Sequence, residues 1–171
     1  VALFDRNQWH GPSEIPNLKP YAFFIIELRN ILFININRKT EEMKAIHITK
    51  SGGPEVLKLK ETAKPKPEKN QVLIKVKAAG VNRSDVITRK NINTYGKGSN
   101  ETIIPGLEVS GEITEIGDNV SDKKIGDKVC ALIASGGYAE YVAVDSYHCL
   151  SIPNGISLID AAAIPETVFT V

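Results

Sequence analysis

Few residues in this chain have side chains and surroundings suited to chemistry, and they are scattered. Glu108 stands out most: a carboxylate set in an apolar, glycine-punctuated run, Ile103-Ile104-Pro105-Gly106-Leu107-Glu108-Val109-Ser110-Gly111. A charge buried in such a run needs partners, so Glu108 is either a structural tie or part of a site. The structural reading comes first, because carboxylates beside glycine turns often satisfy backbone N–H groups. Asn82 and Asp85 have the spacing of a helix N-cap and its reciprocal partner. Asn82 then caps a helix, and Asp85 is a buried tie for the helix start. His148 and Cys149 are adjacent, so on a strand they point to opposite faces. Tyr95 is the only aromatic residue in the polar loop Asn91 to Thr102, and a loop tyrosine need have no role.

The motifs that cradle phosphates are missing. No Gly-x-Gly-x-x-Gly follows a strand. Gly96-x-Gly98 comes nearest, but Glu101 occupies the third position and the segment reads as a loop. No Walker pattern occurs either.

The elements that position these residues are short strands. Met43 to Thr49 reads as a strand, Ser51-Gly52-Gly53-Pro54 as a turn, and Val56 to Glu61 as a strand with Leu57 and Leu59 on one face. Pro65 and Pro67 make the next stretch a surface connection. Gln71 to Ala79 alternates, with Val72, Ile74, Val76 and Ala78 facing in and Leu73, Lys75 and Lys77 facing out. A short helix opens at Asn82 and fades by Lys90. Glu108 to Ile116, Lys128 to Ala134 and Tyr138 to Val144 supply further strands. Ile113 and Ile116 are three apart, so a bulge near Thr114-Glu115 is needed to keep both on one face. Pro153-Asn154-Gly155 is a turn, and Ser157 caps a last helix with Asp160 at its third position. The pattern predicts a compact, mostly antiparallel barrel with peripheral helices.

Composition narrows the function classes. With 171 residues there is room for one domain and an appendage. A net charge of +1 gives no reason to expect nucleic acid or an anionic membrane as partner. Two cysteines and no signal-peptide pattern suit a reducing compartment. Residues 1–42 read differently from the rest. They hold the only Trp and an apolar run, Tyr21 to Ile26, that is broken by Glu27, Arg29 and Asn30 before Ile31 resumes it. Charges at that position argue against a spanning helix. The acids Asp5, Glu27, Glu41 and Glu42 argue against a transit peptide. The expectation is an extension outside the native fold, ending before Met43.

The pattern Gly106-x-Glu108-x-x-Gly111, then Gly117, then Gly126-Asp127-x-Val129 resembles the medium-chain dehydrogenase/reductase superfamily. Within that superfamily it is similar to the zinc-independent quinone oxidoreductase branch. The resemblance covers residues 43–171. It implies a GroES-like, partly open β-barrel, mostly β with peripheral helices: the N-terminal catalytic domain of an α/β oxidoreductase. The dinucleotide-binding domain of the family begins after the helix near Ser157, so residues 43–171 stop short of it, and by themselves they are expected to be inactive.

The resemblance also implies a site. Zinc-dependent relatives carry Cys where this chain has Asn82, His where it has Leu107, and a further ligand near Glu166; none of these is a usual zinc ligand set. No metal residue is expected. Alcohol oxidation needs an alkoxide, which a Lewis-acid metal makes accessible, whereas a quinone is already electrophilic and needs mainly positioning. The implied catalytic residues are Asn82 and Tyr95. The implied cofactor-binding residues are Asn82, facing the nicotinamide ribose; Tyr95, overhanging nicotinamide and acceptor; and Thr170, near the carboxamide. The implied cofactor is NADPH and the implied reaction is hydride transfer to a quinone. An enone or enoyl-thioester reductase is the alternative within the branch, and a non-catalytic GroES-like binding module the alternative of another class. The expected partner is a small quinone or conjugated carbonyl, the full-length protein is expected to be a homodimer, and the compartment is the cytoplasm.

Overall fold

The computed structural model describes residues 41–92 and 103–170. These belong to one unit, Glu41–Val171. Tyr95 lies outside the described residues, as does the 1–40 segment.

Two antiparallel sheets form the unit. β1 (Glu42–Ile48) and β2 (Leu57–Ala63) make a hairpin in register from Glu42↔Ala63 to Ile48↔Leu57. β1 takes in Glu42, one residue before the Met43 at which sequence patterning starts the strand, and the Glu41 carbonyl accepts the Lys64 N–H at 2.8 Å. The larger sheet has five strands in the order β6-β3-β4-β5-β7. Its members are β3 (Gln71–Ala79), β4 (Glu108–Ile116), β5 (Lys128–Leu132), β6 (Tyr141–Asp145) and β7 (Cys149–Ser151). Among the described residues, the isolated bridges Ala45↔Ala139 and Ile48↔Ile103 link β1 to the segments before β6 and β4, and the two sheets do not close into one, so the barrel stays partly open. The helices are α1 (Arg83–Lys90), α2 (Leu158–Ala161) and α3 (Pro165–Thr170). This is the mostly-β, GroES-like architecture the sequence led us to expect. Among the described residues no helix is long and apolar enough to cross a membrane.

The core lies on one face of the large sheet: Val72, Ile74, Val109, Ile113, Val129, Ala131, Val142, Val144 and Cys149. Removing each large aliphatic side chain from water contributes about 1.5–3 kcal/mol. β4 sits in the middle of the sheet and divides its side chains by pleat. Val109 and Ile113 go to this core, and Glu108 and Ser110 go to the opposite face. The bulge falls where expected: Leu73 pairs with Glu115 and Ile74 with Ile113, leaving Thr114 unpaired. Thr114 Oγ1 donates to the Leu73 carbonyl at 3.2 Å.

Several local expectations are corrected. Leu73 is fully buried, not outward, because β3 is covered on both faces near its start, where Val72, Leu73 and Ile74 are all buried; Lys75 and Lys77 further along are exposed as expected. Leu57 and Leu59 share one face of β2 as expected, but neither is buried: Leu57 is half-buried and Leu59 is 64% exposed, and the buried side chain there is Val56, in the short 3-10 turn Pro54–Val56. Tyr138 lies outside β6, and β5 ends two residues before Ala134. β7 and α3 were not anticipated.

Candidate functional site

The site forms where α1, the start of β4 and the start of α3 meet. Asn82 caps α1 in extended conformation (φ −114°, ψ 159°), and its capping box with Asp85 is present. The Asn82 backbone N–H donates to Asp85 Oδ2 at 2.9 Å. Asp85 is buried and takes two further donors: the Gly106 N–H at 3.0 Å on Oδ1 and the Tyr138 hydroxyl at 2.8 Å on Oδ2. A carboxylate with three donors is well satisfied without a cation. Burial pushes the Tyr138 hydroxyl pKa up, and the Asp85 carboxylate beside it adds to the shift. Tyr138 therefore stays a proton donor to Asp85. Gly106 carries φ +102°, and a Cβ there would press on Tyr138 and on the Gly137 backbone. Glycine is the residue that allows this turn.

Asn82 has a second task. Its Nδ2 donates to Glu108 Oε1 at 3.0 Å, so the residue is both a helix cap and part of a tie between α1 and β4. Glu108 is 3% exposed, and its other oxygen accepts the Glu166 N–H at 2.9 Å. That N–H belongs to the first turn of α3, where helical donors lack intrahelical partners. One carboxylate thus bridges the α1 cap and the α3 start. Gly80 makes room for it, since a Cβ at that position would overlap Glu108 Oε1. On the same face of β4, Ser110 Oγ donates to the Leu158 carbonyl of α2.

Of the residues expected at the site, Asn82 stands in this corner, half-buried. Thr170 is at the far end of α3, exposed, and its Oγ1 donates to the Glu166 carbonyl at 2.6 Å. Leu107 is half-buried beside Glu108, and Glu166 is joined to Glu108 through its backbone. Among the described residues no three His, Cys, Asp or Glu side chains form a group able to hold a metal ion. The groups that the resemblance assigns to a cofactor are neutral: Asn82 keeps an amide N–H beyond the one given to Glu108, and Thr170 keeps the lone pairs of its hydroxyl, whose proton goes to the Glu166 carbonyl. A donor and an acceptor of this kind are compatible with the ribose and carboxamide of a nicotinamide. No described stretch supplies a glycine-rich cradle for the phosphates. Tyr138 and Gly80 escaped the sequence reading. The run Gly136-Gly137-Tyr138 was the available signal, an aromatic delivered by two small residues.

Residues 68–154 match the alcohol dehydrogenase GroES-like domain, and the chain belongs to that family. It is an N-terminal domain of the medium-chain dehydrogenase/reductase oxidoreductases, similar to the quinone oxidoreductases. The quinone oxidoreductase of Lama guanicoe is 42% identical over 130 residues, which is 75% of this chain and 39% of that protein. The synaptic vesicle membrane protein VAT-1 homolog of Danio rerio is 36% identical over 128 residues, covering 74% and 26%. Among solved structures, the Escherichia coli quinone oxidoreductase complexed with NADPH superposes with TM-score 0.61 at 29% identity, covering 71% of this chain and 36% of that one. The CurK enoyl reductase superposes with TM-score 0.67 at 25% identity, covering 75% and 40%. The chain therefore spans about two fifths or less of the length of these relatives.

Proposed function

We propose that residues 43–171 are the catalytic domain of an NADPH-dependent quinone oxidoreductase that transfers hydride to a quinone without a metal. Within its branch the sequence is similar to the tumour-suppressor-inducible quinone oxidoreductase. The observation that carries this reading is the Asn82 amide, locked on Glu108 at 3.0 Å beside Leu107, where metal-dependent relatives place ligands. Bound NADPH supplies the hydride. The chain's own part is to orient and shield: Asn82 offers an N–H to a ribose or acceptor oxygen, Thr170 offers a hydroxyl toward the carboxamide, and Tyr95 covers the stack. Positioning of this kind supplies much of the rate when the acceptor is already electrophilic. The phosphate cradle is proposed to lie outside residues 1–171, so this stretch alone would not turn over NADPH. Residues 1–40 are proposed to lie outside the domain, since Glu41 and Glu42 join it through β1 and its pairing with β2. The full-length protein is proposed to be a cytoplasmic homodimer without nucleic-acid or membrane partners.

The likeness to an enoyl reductase favours a second reading, reduction of enones or enoyl thioesters. The VAT-1 homolog relative, named for a vesicle membrane protein rather than a reaction, favours a non-catalytic binding module. Steady-state NADPH oxidation by the full-length protein, with quinones and with conjugated enones, separates the three. Higher kcat/KM on quinones supports the first reading, and higher kcat/KM on enones the second. No oxidation of NADPH or NADH with any acceptor leaves the module.

A further inference from the structure

We propose that Glu108 is a positioning residue that sets the orientation of both nicotinamide-facing groups, and this rests on the reading just given for Asn82 and Thr170. The argument begins with donor and acceptor identity. An asparagine amide can be turned either way, and its two ends offer opposite hydrogen-bonding character. Here the choice is made by Glu108 Oε1, an acceptor only, which holds Nδ2 at 3.0 Å. With that end fixed, the amide presents its remaining N–H as a donor in a defined direction. A ribose hydroxyl or an acceptor carbonyl oxygen can accept it.

The second oxygen of Glu108 reaches the other group through the backbone of Glu166. The Glu166 N–H donates to Oε2 at 2.9 Å, and the Glu166 carbonyl accepts from Thr170 Oγ1 at 2.6 Å. One residue therefore hangs between the carboxylate and the threonine hydroxyl. α3 is a helix of six residues and makes too few internal bonds to hold its own direction. A charged acceptor on its first turn supplies what the helix lacks. Gly80 completes the arrangement, because any larger residue there would displace the carboxylate from both donors.

A structural tie alone predicts lost stability. A positioning role also predicts that Glu108 and Asn82 act as one unit. The test is a double-mutant cycle in the full-length protein with Asn82→Ala, Glu108→Gln and the pair, reading kcat/KM for a quinone and the Kd of NADPH by fluorescence titration. Glu108→Gln keeps the shape but cannot accept from both donors. It should lower kcat/KM and weaken NADPH binding roughly tenfold, the scale of one mis-set buried hydrogen bond. In the Asn82→Ala background it should cost much less, about threefold, because only the α3 tie remains to be lost. The double variant Asn82→Asp/Glu108→Gln, which restores both ties with the first donor reversed, should recover melting temperature but not NADPH affinity. Equal losses in both backgrounds, or wild-type NADPH affinity in Glu108→Gln, overturn the positioning role. Wild-type activity in Asn82→Ala instead sinks the underlying assignment of Asn82. If Glu108→Gln does not fold, Glu108→Asp runs the same cycle, with a carboxylate one methylene short of Asn82.

Discussion

The hydroxyl of Tyr138 donates to Oδ2 of Asp85 across 2.8 Å, joining residues 53 apart in the chain. This bond pins the loop before β6 to the start of α1, and Gly106 is held on the other carboxylate oxygen at 3.0 Å. Removing the hydroxyl leaves a buried carboxylate one donor short. Tyr138→Phe should cost about 1.5–3 kcal/mol of stability, the range for a hydrogen bond to a charged group. Asp85→Asn should cost more, because its amide turns a donor toward other donors. Urea unfolding of the full-length protein measures both. A Tyr138→Phe variant within about 0.5 kcal/mol of wild type would show that the bond is not a net tie.

The two cysteines should be silent in the native state. Cys130 pairs with Leu150 and Ala131 with Cys149, so the thiols lie on opposite faces of the sheet. Burial raises the Cys130 thiol above its ordinary value and pushes Cys149 up to about 12. Neither is a thiolate near neutral pH, and only the thiolate reacts. A thiol reagent at mild alkaline pH should label no cysteine in the folded protein and two per chain after denaturation. Rapid native labelling of either would contradict the burial described for it.

Glu108 and the strand it opens show how much of the site was legible in sequence. β4 runs Glu108–Ile116, and Thr114 is the bulged residue, as the patterning indicated. Both features are local: β-branched residues, glycines and a break in alternation are written in adjacent positions. Glu108, a charge in the otherwise apolar and glycine-rich start of β4, also signalled that it needs polar partners. Which partners it meets was not legible. Asn82 is 26 residues away from Glu108, and Glu166 is 58 away. The outward assignment of Leu73 failed for the same reason, since alternation cannot reveal that both faces of a strand are covered.

His47 should make stability depend on pH. It is 7% exposed on β1, and Lys58 stands directly across on β2 with Lys60 two residues further. Burial lowers its pKa below 6.5, and the Lys60 charge lowers it further. The unfolded chain therefore takes up a proton at a pH where the fold still resists it. Stability from this group is fully present above the unfolded value and is lost as pH falls toward the depressed folded value. Glu41, Glu55 and Asp122 are held below their ordinary carboxylate values, so their contribution falls away at lower pH. The urea midpoint should drop between about pH 7.5 and pH 5.5 in wild type and drop less in His47→Gln. Parallel profiles for the two proteins would assign the dependence elsewhere.

The last prediction concerns metal. In zinc-dependent relatives the corner at α1 and β4 supplies side chains that bind a cation; here it supplies Asn82 and Leu107. Asn82 has its amide nitrogen turned onto Glu108, and an N–H aimed at a carboxylate is not available to a cation. Glu108 already accepts from Asn82 Nδ2 and the Glu166 N–H, and turning it toward a metal would leave two half-buried donors without these partners. A fully buried orphan costs about 1–3 kcal/mol and a half-buried one less, and the loss works against recruitment of zinc. The full-length protein purified without added metal should therefore contain no stoichiometric zinc by elemental analysis. Its melting temperature should not rise when zinc is added, because a ligand that does not bind the native state cannot stabilise it. One zinc per chain retained through dialysis against a chelator, together with a lower melting temperature once a stronger chelator removes it, would place a metal at this corner and remove the metal-free reading.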